Sequence, residues 1–523
     1  MQPSLVWTEI LSLIKGSFEA MSKQDGHLTL DEYIDLGRKK SPFFSGERDV
    51  VYAIYMKYKR FIRKEAMFDE ADVVFDIYKR CKAGLDMPWT IHQLYVDETQ
   101  DFIQAELLLL MSISQNPNDI FLTGDTAQCI MRGIAFRFCD IQACFHHVRE
   151  CSSPEAKSQI NVPKIQKLIF NYRSHSGILS LASSVLDIMT EYFKESFDSL
   201  EKDVGLFHGK PPLLLEFCSS QDLEMFLKKS RESKDTGQGS IIFGSHQAIL
   251  VANQEAKATL PTVFKENANV LTICECKGLE FDDVLLYNFF KDSQVTKEWR
   301  VVKSFQDSLG LDSTGDDLHV RALEFDALKH KLLNSELKYL YTALTRARCN
   351  LWIYDEDKDK RAPMFAYFKA RKLVRVVSEK FSDTSEEDGL KFAKASNAED
   401  WVQQGDTFMT HRLYMDAAKC YRRAGDNDKR LSAIAYNKAV IAMTESDEAK
   451  RKSYFLSAAA DFLKCNKITK AGTCLRYADE YVLSGLAYEK NEEYAAAARM
   501  YRQGGDYEAE RRCCDLKRCF QNR

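Results

Sequence analysis

Apolar residues recur three and four positions apart through much of the first 92 residues, as at Val50, Ile54, Tyr58 and Phe61. That is the spacing of one helix face. The pattern then shortens. An apolar run, His92–Val96, closes on Asp97-Glu98, and a helix is expected over Ala105–Ser114. A second run, Ile120–Thr123, closes on Gly124-Asp125. Strand, acidic turn, helix, strand, acidic turn is the rhythm of a parallel α/β sheet. Functional side chains of such sheets gather at the carboxyl ends of the strands. A second α/β block follows, with strands expected near Ile165–Phe170, Gly239–Phe243, Asn269–Thr272, Asp283–Tyr287 and Asn350–Tyr354. Residues 187–236 read as an insertion, and residues 376–400 as a polar, acid-rich exposed linker.

From Trp401 the pattern is helical throughout, with pairs of small residues and aromatics at fixed offsets. Tyr414–Asp426 (YMDAAKCYRRAGD) returns as Tyr494–Asp506 (YAAAARMYRQGGD), and a weaker copy around Ala458, Ala459 and Phe462 lies about halfway between. A period near 40 residues implies paired helices stacked as a solenoid, and such surfaces suit protein partners better than catalysis. The expected organisation is therefore 1–92 helical, 93–160 and 161–360 α/β, 361–400 linker, and 401–523 helical repeats.

Composition narrows the classes. The chain has 523 residues, of which 45% are apolar and 29% charged, with a net charge of −4. A nucleic-acid surface would have to be a local patch, since there is no global basic field. No apolar stretch reaches the roughly 18 residues of a membrane span, and the N-terminus lacks the pattern of a secretory signal. The 15 scattered cysteines then read as reduced thiols of an intracellular protein, with nucleus and cytoplasm undistinguished. Cys144, His146, His147 and Cys151 do not make the two tight pairs usual for zinc. Asp25–Tyr33 (DGHLTLDEY) is similar to the back half of a calcium loop, but Met21 and Lys23 fall at the first ligand positions. It reads as a turn and a helix start.

The chemistry lies in an ordered set of motifs. Val96–Asp101 (VDETQD) puts adjacent carboxylates at a strand end, where one can hold magnesium and the next polarise water. Downstream come Gly124–Gln128 (GDTAQ), Asn171–Ser174 (NYRS), Lys277–Asp282 (KGLEFD) and Tyr341–Ala347 (YTALTRA). In this order and context they resemble the UvrD/Rep-like branch of superfamily 1 helicases, over roughly residues 90–355. The resemblance implies an α/β fold with a RecA-like parallel-sheet helicase core, its first domain incomplete; the internal repeats place an all-α, TPR-like solenoid after it. It implies ATP and Mg2+ as cofactors. Asp97 would hold the metal and Glu98 would be the base. Gln128, with Asp125, would sense the γ-phosphate, and Arg173 and Arg346 would contact it. Tyr172 would stack on adenine, while Gly278 and Glu280 would meet the ribose. An arginine reaching across a cleft would link hydrolysis to domain motion.

The chain also departs from that family. It contains no G-x-x-x-x-G-K-[ST] phosphate loop, and Gly205–Lys210 (GLFHGK) fails on spacing. In the family that loop lies upstream of the acidic motif. The chain is therefore expected to be a fragment, a short isoform or an incomplete gene model, poor at hydrolysis by itself. The aromatic run ending in Trp-Arg-Gly becomes Cys129–Gly133 (CIMRG), and Cys274 stands where the family commonly has histidine. Thr272, Arg132 and Phe136 remain as candidates for single-stranded nucleic acid, DNA or RNA. Lys228-Lys229 and Arg511-Arg512 are too small for a nuclear import signal. Two readings follow: part of an ATP-dependent helicase or translocase, or a nucleotide-insensitive scaffold acting through its helical repeats.

Overall fold

A computed structural model of the chain describes residues 3–40, 47–84, 89–131, 133–198, 201–217, 219, 221–224, 243–311, 321–327, 329–378 and 396–521. It divides into two compact units. The first runs to residue 390 apart from 236–247 and 266–269, and the second takes those two stretches and 391–523.

After short helical segments at Pro3–Thr8, Glu9–Lys15 and Phe18–Met21, the first unit carries helices α1 (Leu30–Lys40), α2 (Arg48–Lys64) and α3 (Glu70–Lys82). Val51 and Tyr55 of α2 join a core with Ile10, Ile14 and Tyr33. Val50, Ile54 and Phe61 of the same helix are 52%, 38% and 54% exposed. Two apolar stripes run side by side along α2, one residue apart. Spacing identifies the helix, but either stripe satisfies it. At the start of α3, Asp69 and Asp72 cap each other's backbone, and the buried Lys15 ammonium binds Asp69 at 2.5 Å and Asp72 at 2.7 Å.

Strands β1 (Leu94–Val96) and β2 (Ile120–Leu122) pair in parallel, Leu94 opposite Ile120 and Val96 opposite Leu122. Helix α4 (Gln104–Ile113) connects them. Its Ala105, Leu107, Leu108 and Met111 pack in one core with Phe136 and with Phe145 of α5 (Phe138–Cys151). Both strands end at the acidic turns.

A second parallel pair joins β3 (Phe170–Asn171) to β4 (Val204–Gly205), with α6 (Ser176–Tyr192) between them. The main sheet is built from β5 (Leu213–Glu216), β6 (Gln247–Val251), β7 (Asn269–Thr272), β8 (Phe281–Tyr287), β9 (Ala347–Tyr354) and β10 (Arg375–Ser378). Its order is β10-β5-β9-β8-β6-β7, and β10–β5, β5–β9 and β9–β8 are parallel. Helices α7 (Val301–Ser308), α8 (Lys331–Leu344) and α9 (Lys358–Ala370) complete this part.

Several elements differ from expectation. The strand near Ile165–Phe170 shrinks to Phe170–Asn171. Of Gly239–Phe243, residues 239–242 lie outside the described residues, and the strand nearby is Gln247–Val251. Leu213–Glu216, inside the supposed insertion, is an inner strand of the main sheet. Residues 361–378, placed in a linker, carry most of α9 and all of β10, while 379–395 lie outside the described residues. Short apolar runs such as Leu213–Leu215 have no period to read, and only pairing decides them.

The second unit is a row of eight helices: α10 (Ala398–Thr410), α11 (Tyr414–Ala424), α12 (Asn427–Thr444), α13 (Glu448–Lys464), α14 (Ile468–Tyr477), α15 (Tyr481–Lys490), α16 (Tyr494–Gln503) and α17 (Tyr507–Gln521). Each packs on the next. The expected even period near 40 residues gives way to an uneven one. Helices α12 and α13 have 18 and 17 residues, whereas α14 to α17 start every 13 residues. A shared contact underlies the row. A Cβ on Gly405, Gly472 or Gly485 would lie 2.6, 3.2 or 2.8 Å from the ring of Tyr421, Tyr488 or Tyr501 on the following helix. Each tyrosine follows its glycine by sixteen residues. No helix among the described residues is long and apolar enough to cross a membrane.

Candidate functional site

The carboxyl ends of β1 and β2 are tied together by backbone and side chain. Thr99 N donates to Thr123 O at 2.8 Å, and Thr123 N to Val96 O at 2.9 Å. Asp97 accepts from Glu98 N at 2.9 Å and from the Thr123 hydroxyl. Glu98 has a left-handed backbone, φ 52°, and its carboxylate accepts from Gln100 Nε2. Gln100 is fully buried, and its Oε1 accepts from Asp125 N at 3.0 Å. This glutamine joins the two acidic turns. It lies inside the VDETQD motif, yet residue type alone gave it no role.

Gln128 stands at the meeting of the two α/β parts. Its Nε2 donates to Asp125 Oδ2 at 2.9 Å, and its Oε1 accepts from Arg346 Nη2 at 2.6 Å. Tyr341 also donates to Asp125, and burial pushes that carboxyl up from its ordinary range. Arg346 is 2% exposed. Its remaining donors go to Thr342 O, Leu279 O and the Thr345 hydroxyl at 3.0 to 3.2 Å. An arginine expected to project into a cleft is instead turned inward and hydrogen-bonded on every nitrogen, because a buried guanidinium needs acceptors. Lys277, another residue without an assigned role, reaches Asp101 at 2.5 Å and Gln128 O at 2.8 Å.

Arg173 and Glu280, expected to face phosphate and ribose, form an ion pair with each other. Arg348 stands 3.6 Å from the same carboxylate. Asn171 Oδ1 accepts from Arg173 N and Ser174 N at 2.9 and 3.0 Å, fixing the turn that holds Tyr172. Tyr172 is 75% exposed, its ring open to solvent. Gly278 has φ 76°, a conformation that suits glycine.

The nucleic-acid candidates fare differently. Phe136 is 3% exposed and packs edge-on against Phe138, so no base can stack on it. Thr272 is 4% exposed, and it and Glu275 cap each other's backbone. Arg132 lies outside the described residues. Alternating apolar and polar letters mark a strand end or a loop, but they do not say which side chains the fold covers. Among the described residues no cluster of three or more His, Cys, Asp or Glu side chains could hold a metal. Asp97 belongs to no such cluster.

No family model matches the chain. It is 43% identical over 533 residues to human TPR and ankyrin repeat-containing protein 1, an alignment covering 99% of this chain and 18% of that protein. The chain thus spans under a fifth of the length of that relative. It is 21% identical over 340 residues to a probable DNA helicase of Mycoplasma pneumoniae, covering 62% of this chain and 55% of the helicase.

Proposed function

We propose that this chain is a protein-interaction segment whose C-terminal helices offer the docking surface. Its α/β unit would be a scaffold built on a helicase-like plan. The observation that carries this reading is the row of eight helices, each packed on its neighbour, with Val482, Leu483 and Leu486 of α15 43%, 49% and 57% exposed. Stacked helical repeats present extended surfaces of this kind to protein partners. The relative that matches nearly the whole chain is named for TPR and ankyrin repeats, both interaction modules. The cleft agrees: Arg173, Glu280, Arg346 and Lys277 are engaged with the chain's own groups.

Affinity capture with the whole chain as bait tests this, compared with Leu483→Asp/Leu486→Asp. The expected outcome is loss of specific partners from the variant at unchanged helix content. Equal capture by both baits would count against the reading.

A second reading has one observation in its favour, the Asp125–Gln128–Arg346 relay that joins the two acidic turns to the second α/β part. In this reading a longer protein binds ATP with Mg2+ here. Asp97 would take the metal, Glu98 would orient water, Tyr172 would stack on adenine, and Gly278 and Glu280 would meet the ribose. Arg173 and Arg346 would turn from their present partners to the phosphates. The cofactor would supply the hydrolysable phosphate and its counter-ion. No part of the geometry favours single-stranded nucleic acid as a partner. A fluorescent ATP analogue bound by the whole chain with Mg2+, and released by Arg346→Ala, would favour this second reading.

A further inference from the structure

Lys277 follows the turn that Thr272 and Glu275 cap. Its ammonium lies 2.5 Å from Asp101 Oδ1, 2.8 Å from the Gln128 carbonyl oxygen and 3.7 Å from Glu98 Oε2. Three oxygens from both acidic turns therefore converge on one cation carried by the other α/β part. The lysine side chain is 7% exposed, against 23% for Asp101 and 37% for Glu98. An ammonium has three N–H donors and no acceptor; two of them are bonded to Asp101 and the Gln128 carbonyl, and Glu98 adds a longer-range ion pair. Removing the ammonium leaves the half-buried Asp101 carboxylate without its counter-charge. Gln128 is gripped twice, on its backbone by Lys277 and on its side chain by Arg346. Alongside, the Tyr339 hydroxyl donates to Ile130 O at 3.2 Å.

We propose that Lys277 is a positioning residue, a built-in cation that fastens both acidic turns to the second α/β part. The proposal deepens the reading of that site as a cleft, but the fastening itself needs no nucleotide.

Hydrogen exchange on the whole chain without nucleotide tests this, so the outcome does not depend on whether the cleft binds one. In Lys277→Met, amides of residues 97–101 and 125–130 should exchange about tenfold faster, the effect of losing a charged hydrogen bond on local opening. Amides of 398–521 should be unchanged. Lys277→Arg, which keeps a cation in place, should restore most of the protection, a rescue that simple loss of packing does not give. Equal exchange in wild type and Lys277→Met would overturn the proposal. If Lys277→Met loosens the whole chain, Asp101→Asn decides the matter, because it removes one charge and leaves the shape intact. Wild-type exchange in both turns of that variant would also overturn it.

Discussion

Glu98 holds a left-handed backbone, which costs a non-glycine residue on the order of 1 kcal/mol. The turn keeps it because its neighbours over-determine it: Thr99 N is bonded to the next strand, and Gln100 is bonded at both ends of its amide. The same glutamine explains Gly124. A Cβ there would sit 2.4 Å from Gln100 Oε1 and 3.3 Å from Thr99 N. Gln100 has no room to retreat, so Gly124→Ala should destabilise the first unit by roughly 1–3 kcal/mol. Chemical denaturation reads this directly, and an unshifted midpoint would mean that the turn yields. At this scale the sequence singled out Asp97 and Glu98 by type and position, and Asp125 and Gln128 by resemblance. Gln100 and Lys277 sat unassigned inside the same motifs, because an amide and an ammonium acquire a role only from what the fold places within 3 Å of them. Phe136 and Thr272 failed for the converse reason: an aromatic or a hydroxyl reads alike whether open or covered.

Among the elements, α4 carries a titration that should be measurable. Glu106 caps Ile103 N at the start of this helix. Burial, with the Glu70 carboxyl beside it, pushes Glu106 up from 4.5 to about 7. A folded-state pKa above the unfolded one favours the protonated form. Its contribution to stability is therefore full below about pH 4.5 and is lost as pH rises through about 7. Glu106→Gln mimics the protonated form and should gain on wild type by about 1–2 kcal/mol between pH 5 and 8, after discounting for partial exposure. Paired thermal melts across that range check it, and parallel curves would contradict it. Elements with a long period were legible: α2, α4 and the helical character of the chain from Trp401 onward, though not the spacing of its helices. The short strands Leu213–Glu216 and Arg375–Ser378 were not, since four residues give no period and their place depends on partners about 140 and 160 residues away. In α2 the helix was legible but its buried face was not.

For the whole molecule, two compact units divide the labour, one α/β with acidic strand ends and one a row of helices. The chain's sequence holds no phosphate-binding loop, and among the described residues no cluster of three or more His, Cys, Asp or Glu could hold a metal. The purified chain should therefore hydrolyse Mg-ATP no faster than its Glu98→Gln variant in a phosphate-release assay, and turnover abolished by that substitution would refute this. The sequence by itself determined the helical stretches, the strand–acid–helix rhythm, the order of the motifs and the recurrence of small residues and aromatics in the C-terminal helices. Each of these is written in nearby residues, where chain geometry fixes which side chains share a face. Tertiary structure alone decided which of two apolar stripes is buried, which short runs become strands, and how the charged groups pair. Arg173 met Glu280, Arg346 met Gln128 and Lys277 met Asp101 across separations of 107, 218 and 176 residues. For the buried Arg346 and Lys277 the pairing follows from burial, because a charge removed from water must find its partner wherever the fold brings one.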